Sequence, residues 1–239
     1  MTLEVSGLRL FYGRPPVTPV CTDTAETTMR AESIVARLTD RWTSAVLKLG
    51  HGRGFVVSYG EDQRAIVTAA HCLPTDKAGQ LLLPPTPKMS DHEERIYPFL
   101  LARIGGAEAI VEAQCLFVDP IADIAVLGPP GEEGSDRFNA YQKVVNDARP
   151  LVIIDAPDRG PGRILALDGR WVEIEVQRCG YTLIAQSREF FAPGVSGSPI
   201  LSAGGNAIGV ACSGKEIGDD AASGTVLVDC LPGRFLRRQ

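Results

Sequence analysis

An all-β fold of two packed, antiparallel six-stranded barrels is what this sequence predicts, and three observations predict it. Short apolar or β-branched runs bounded by Gly, Pro or charge follow one another between residues 44 and 128 and again between 150 and 229. A polar, turn-rich stretch, GPPGEEGSDRFNAYQKVVND at 128–147, separates the two series. The 25 Gly and 17 Pro suit many tight turns better than long helices.

Residues 1–30 carry little periodicity and read as an extension or a peripheral strand. In AESIVARLTDRW, 31–42, Ile34, Val35, Leu38 and Trp42 recur at helical spacing and predict one amphipathic helix. The extension and helix together cover 1–42. The first barrel, 43–130, is expected from SAVLKLG, GFVVSYG, RAIVTAA, YPFLLARI, AIVEAQCLFV and DIAVLG, with LLLPPTPKMSDHEE as an interrupting loop. A linker at 131–147 leads to the second barrel and C-terminal segment, 148–239. Its runs are PLVIIDA, GRILALDG, RWVEIEVQRCG, YTLIAQ, SPILSA, NAIGVACSG and GTVLVD. CLPGRFLRRQ closes the chain as a short C-terminal helix.

Composition removes several function classes. Hydrophobic residues make up 44% and charged residues 22% of the 239, and mean hydropathy is +0.03, as in soluble globular proteins. A net charge of −5 argues against a nucleic-acid binder. No apolar stretch is long enough for a membrane span or resembles a secretory leader, so a cytoplasmic location is expected, with secretion of a chain that has lost its leader as the alternative. The six cysteines contain no C-x-x-C, and His51, His71 and His92 contain no H-x-x-x-H. No metal and no cofactor are expected, and the thiols are expected to be reduced.

Three stretches carry chemistry. IVTAAHC, 66–72, ends a strand on His71, with Thr68, Ala69 and Ala70 small enough for close backbone packing behind the ring. IADIAVL, 121–127, embeds Asp123 among apolar residues, and a carboxylate there needs a partner such as an imidazole N–H. Asp119 competes, but its place before Pro120 marks it as a turn former. SREFFAPGVSGSPI, 187–200, sets Ser196 among residues small enough to expose its hydroxyl beside inward-pointing N–H groups. A hydroxyl alone is a weak nucleophile, so Ser196 requires a base and the base requires an acid.

Val67-Thr68-Ala69-Ala70-His71-Cys72, Asp123-Ile124-Ala125-Val126-Leu127 and Gly194-Val195-Ser196-Gly197-Ser198-Pro199 resemble the histidine, aspartate and serine boxes of chymotrypsin-fold, trypsin-like serine peptidases. For the aspartate segment the likeness is greatest to bacterial members. The order His, Asp, Ser matches that family, and separations of 52 and 73 residues suit its compact bacterial or viral members. The resemblance spans roughly 43–232. It implies a serine endopeptidase in which Ser196 attacks, His71 takes the proton, Asp123 orients His71, and the N–H groups of Gly194 and Ser196 hold the oxyanion. Gly194 is expected because a side chain would obstruct that turn. Val195, before the serine, is expected to turn into an apolar pocket.

The same resemblance makes GVACSG, 209–214, the strand lining the substrate cleft, where backbone atoms of Cys212 and Gly214, flanking Ser213, would pair with an extended polypeptide substrate. Counting back from Ser196 places Phe190 at the floor of the primary pocket with Phe191 and Ala192 beside it, which favours small or apolar residues before the cut. A shift of one residue would put Glu189 there and favour basic ones. The competing function is a catalytically dormant binding or scaffold module on the same fold. The expected partners are a polypeptide substrate and a protein reached through the N-terminal extension, with no nucleic acid and no membrane.

Overall fold

The computed structural model describes residues 40–59, 63–74, 96–105, 111–180, 182–187, 193–212 and, as backbone, 224–230. Among the described residues, twelve strands make up two closed barrels. The first contains β1 (Val46–Leu49), β2 (Gly52–Tyr59), β3 (Gln63–Ala69), β4 (Ile96–Arg103), β5 (Val111–Asp119) and β6 (Ile124–Gly128). They pair antiparallel in the order β1-β2-β3-β6-β5-β4, and β1 closes on β4 with Leu47 opposite Arg103. The second contains β7 (Arg159–Leu165), β8 (Trp171–Cys179), β9 (Thr182–Ser187), β10 (Pro199–Ser202), β11 (Ala207–Ala211) and β12 (Gly224–Cys230). Its order is β10-β11-β12-β9-β8-β7, closed by Ile200 of β10 opposite Ile164 of β7.

Strand patterning explains which faces are covered. In β8, Val172, Ile174 and Val176 point inward while Glu173 and Gln177 are exposed, the period-2 alternation of a strand with one wet face. In β6 all five residues are buried, so this strand is covered on both faces. One cover is α1 (Asp136–Asp147), whose buried Tyr141 donates its hydroxyl to Leu127 O of β6 at 3.0 Å.

The segment read as a linker therefore contains a 12-residue helix. Ser135 is its N-cap, its Oγ accepting from Phe138 N at 3.3 Å, and Arg64 closes the other end by donating to Val145 O and Ala148 O at 2.6 and 2.9 Å. Only Tyr141 and Val145 of α1 are buried, which leaves too thin an apolar stripe to outweigh the Gly and Pro before it. A second difference is PLVIIDA, 150–156, which is not a strand of either barrel. It makes one isolated bridge to each, Leu151 to Val57 of β2 and Ile153 to Ala207 of β11. Leu151 N donates to Val56 O at 2.8 Å and Ile154 N to Ala207 O at 3.0 Å, so this segment ties the barrels together through backbone bonds.

Of the predicted N-terminal helix, 31–42, the described residues 40–42 are helical, and the helix runs on to 44. The predicted C-terminal helix lies outside the described residues. Trp42 stacks edge-on against Trp171 of β8, centroids 5.9 Å apart, and under the Arg163 guanidinium of β7 at 5.3 Å. Trp171 Nε1 donates to Thr43 Oγ1 at 3.0 Å. The chain entering the first barrel is thus anchored on the second. Trp42→Ala is expected to lower stability by about 2–4 kcal/mol through lost packing and cation–π contact. Urea unfolding would read this as a shifted midpoint, and an unchanged midpoint would contradict the anchoring.

Candidate active site

β3 ends at Ala69, and His71 sits in the 3-10 turn Ala70–Cys72 rather than on the strand itself. That turn is held by one residue from the start of β6. Asp123 O accepts from Ala70 N at 3.0 Å, Asp123 Oδ1 from His71 N at 2.9 Å, and Asp123 Oδ2 from His71 Nδ1 at 2.6 Å. Both carboxylate oxygens therefore serve His71. Asp123 has φ +49°, the single non-glycine with positive φ among the described residues. Aspartate tolerates this left-handed conformation better than most side chains, and such strain collects at functional sites. Asp119 instead accepts from Ile121 N and Ala122 N, both at 3.0 Å, and so builds the turn that its place before Pro120 predicts.

With Nδ1 donating to the carboxylate, the neutral His71 ring leaves Nε2 as its acceptor. The hydrogen bond to Asp123, with a further contribution from Cys72, pushes the imidazole from its ordinary 6.5 up to about 10. The Cys72 thiol lies 3.9 Å from Nε2. A histidine with a raised value contributes stability that is complete below 6.5 and is lost as pH rises through about 10.

Ser196 lies in the loop between β9 and β10. The loop is held by Arg53 N donating to Ser196 O at 2.8 Å and by Gly197 N donating to Ala211 O at 2.7 Å, and it is closed internally by Ser198 N donating to Val195 O at 3.0 Å. Val195 is 4% exposed and packs in the core of the second barrel, in the apolar setting expected of it. Gly194 has φ +102°, and the nearest atom to a Cβ built on it is Leu167 Cδ2 at 3.5 Å. Glycine is required there by torsion and not, as expected from the sequence, by obstruction.

Gly197 is constrained both ways. Its φ is +80°, and a Cβ would overlap Arg53 O and come within 2.7 Å of Thr68 Oγ1. Gly197→Ala is expected to cost more than about 4 kcal/mol or to displace the serine loop from β2, since neither blocking group is a flexible side-chain end. Thermal melting together with active-site labelling would detect either outcome, and a variant matching the wild type in both would contradict this packing.

Cys212 is buried, its Sγ 3.7 Å from Asp123 O and 3.5 Å from Val210 O, so its side chain stands behind Asp123. Phe190, Phe191, Ser213 and Gly214 lie outside the described residues. Cys72 and Cys179 are free thiols. Among the described residues, no helix is long and apolar enough to cross a membrane.

Sequence reasoning passed over Arg53 and took Thr68 only as a small residue behind the His71 ring. Thr68 is fully buried, its Oγ1 donating to Arg53 O at 2.6 Å. Arg53 is 5% exposed. The available signal was an arginine inside the apolar strand GRGFVV, flanked by two glycines.

Two closed barrels of this topology form a scaffold for serine endopeptidases, and that is the class of this enzyme. The chain belongs to the trypsin-like peptidase domain family, whose sequence profile matches residues 52–210. Among solved structures, the Rv3671c protease in its inactive form aligns over 87% of this chain and 93% of its own, at 17% identity and a TM-score of 0.50. At that identity the likeness speaks for the fold alone. The active form of the same M. tuberculosis protease aligns over 93% and 89% at 19% identity, with a TM-score of 0.47. The human pathogenic astrovirus serine protease aligns over 79% and 90% at 16% identity, with a TM-score of 0.45. No curated protein shows significant sequence similarity to the chain.

Proposed function

We propose that this peptidase cleaves peptide bonds with Ser196 as nucleophile, His71 as general base and Asp123 as the group that orients and stabilises His71. The observation that carries the reading is the double hold of Asp123 on His71, one carboxylate oxygen on the backbone N–H and the other on Nδ1. Ser196 Oγ attacks the scissile carbonyl carbon and its proton passes to His71 Nε2. The carbonyl electron pair moves to oxygen, where the N–H groups of Gly194 and Ser196 receive it. Collapse breaks the C–N bond, and the amine leaves with the proton from His71. Water then attacks the acyl ester with His71 again as base, restoring Ser196 and releasing the acid. The substrate lies as an extended strand against the backbone of Cys212 and Gly214, with small or apolar residues before the cut.

A fluorophosphonate probe tests the nucleophile. Folded protein should take up one adduct, and peptide mapping should place it on Ser196. An adduct elsewhere, or none on folded protein, would overturn the assignment. A peptide-library digest reports the residue before the cut, and basic residues there would overturn the small or apolar preference.

The imidazole must be neutral to accept the serine proton, and its partner holds it protonated up to about pH 10. Activity, as kcat/KM, is therefore expected to climb with pH from neutrality into that alkaline range. A profile already level at pH 7 would contradict the raised imidazole value of His71 (ordinary value 6.5).

A further inference from the structure

Arg53 carries more structure than its place in β2 requires. Its guanidinium leaves the first barrel and reaches the end of β7 in the second, where Nη1 donates to Leu165 O at 2.6 Å and Nη2 to Ala166 O at 3.0 Å. Nη1 also lies 3.4 Å from Ser198 Oγ. The backbone of the same residue holds Ser196 O through its N–H and receives the Thr68 hydroxyl on its carbonyl, three residues before His71.

This arrangement is costly. Among the described residues no carboxylate lies within ion-pair distance of the guanidinium, so a cation is buried against neutral oxygens alone. Burial lowers its proton affinity, with only the field of Asp168 acting in the other direction. An apolar side chain would avoid burying a charge but would leave the carbonyls of Leu165 and Ala166 without this donor. What the fork supplies is geometry: charge-assisted bonds to two successive carbonyls fix the turn that follows β7. That turn carries Leu167, half-exposed, whose Cδ2 lies beside Gly194.

The geometry points to Arg53 as a positioning residue for the reaction: its side chain fixes the turn beside Gly194 and reaches Ser198 of the serine loop, while its backbone holds Ser196 and the Thr68 hydroxyl on the strand leading to His71. The guanidinium touches none of the reacting atoms and acts through Ser198, Leu165 and Ala166. This inference rests on the triad reading above for its effect on turnover. Its effect on the two loops stands independently of that reading.

The wild type, Arg53→Lys and Arg53→Ala are compared in two measurements: kcat and KM on a peptide the wild type cleaves, and amide hydrogen exchange of residues 165–170 and 194–198. In Arg53→Ala, kcat is expected to fall about 10²-fold with KM within about threefold, because misplacement of reacting groups costs turnover more than binding. Lysine keeps the charge but not the fork, and a kcat loss of roughly tenfold is expected. Exchange in both segments should quicken about tenfold or more in each variant. Guanidinium ion should restore part of the kcat of Arg53→Ala, and urea, its neutral counterpart, should not. Variants that match the wild type in exchange and kcat to within about threefold would overturn the inference. So would a loss of kcat accompanied by wild-type exchange in both segments. Should Arg53→Ala fail to fold, Arg53→Lys decides both readouts. A wild type that neither labels nor cleaves would sink the triad reading alone, and the exchange comparison would then decide the role of Arg53.

Discussion

Ser196→Ala is expected to leave both barrels intact and to lower turnover about 10⁶-fold. The fold should survive because, among the described residues, Ser196 is held through its backbone. Its carbonyl accepts from Arg53 N at 2.8 Å, while neighbouring Val195 and Gly197 supply the loop's apolar anchor and its close approach to β2. Removing one oxygen disturbs none of these. The chemistry should not survive, because without Oγ neither the acyl ester nor the first proton transfer is available. What remains is oxyanion stabilisation and binding, which by themselves give only about 10³–10⁴ over water. Melting temperature and kcat measured on the same preparation separate the two effects. Residual cleavage within tenfold of the wild type would mean that Ser196 is not the nucleophile.

Asp123→Asn is expected to cost about 10⁴ in kcat. An asparagine has the shape and left-handed tolerance that φ +49° requires, so the backbone bond from Ala70 N should persist. Its amide, however, offers one donor and one acceptor in place of two acceptors. If the carbonyl oxygen keeps the bond to His71 N, the amide N–H faces Nδ1 and drives the ring proton to Nε2, where the serine proton has to go. If the amide flips, the backbone bond is lost. Either way one of the two bonds, at 2.9 and 2.6 Å, is reversed or lost. The same substitution removes the chief cause of the raised imidazole value, so the residual activity should titrate at a lower pH than that of the wild type. A variant retaining both the wild-type rate and the alkaline profile would show that Asp123 does not act on His71.

Much of the fold is legible because it is local. The alternation in WVEIEVQRC marks β8 with one wet face, and the apolar run IAVLG marks β6 as covered on both. His71 and Asp123 could be singled out for a similar reason, each standing in a short apolar segment where a polar side chain calls for a partner. The contact between them is 52 residues apart in sequence, and the length of chain alone does not dictate it.

What the sequence determines by itself is thus the two strand series, the turns between them and three short boxes whose residue types suit one chemistry. Only the tertiary structure decides that 150–156 bridges both barrels instead of joining one, that α1 covers β6, and that Trp42 anchors on Trp171. It also decides that Gly197 lies against Arg53 O, and that Arg53 reaches Leu165 O and Ser198 Oγ, 112 and 145 residues away in the chain. Strand periodicity is written into neighbouring residues because it reports which face meets water. A buried guanidinium among carbonyls leaves no such trace, since its acceptors are backbone oxygens that every residue carries and that only the closed barrels bring within reach.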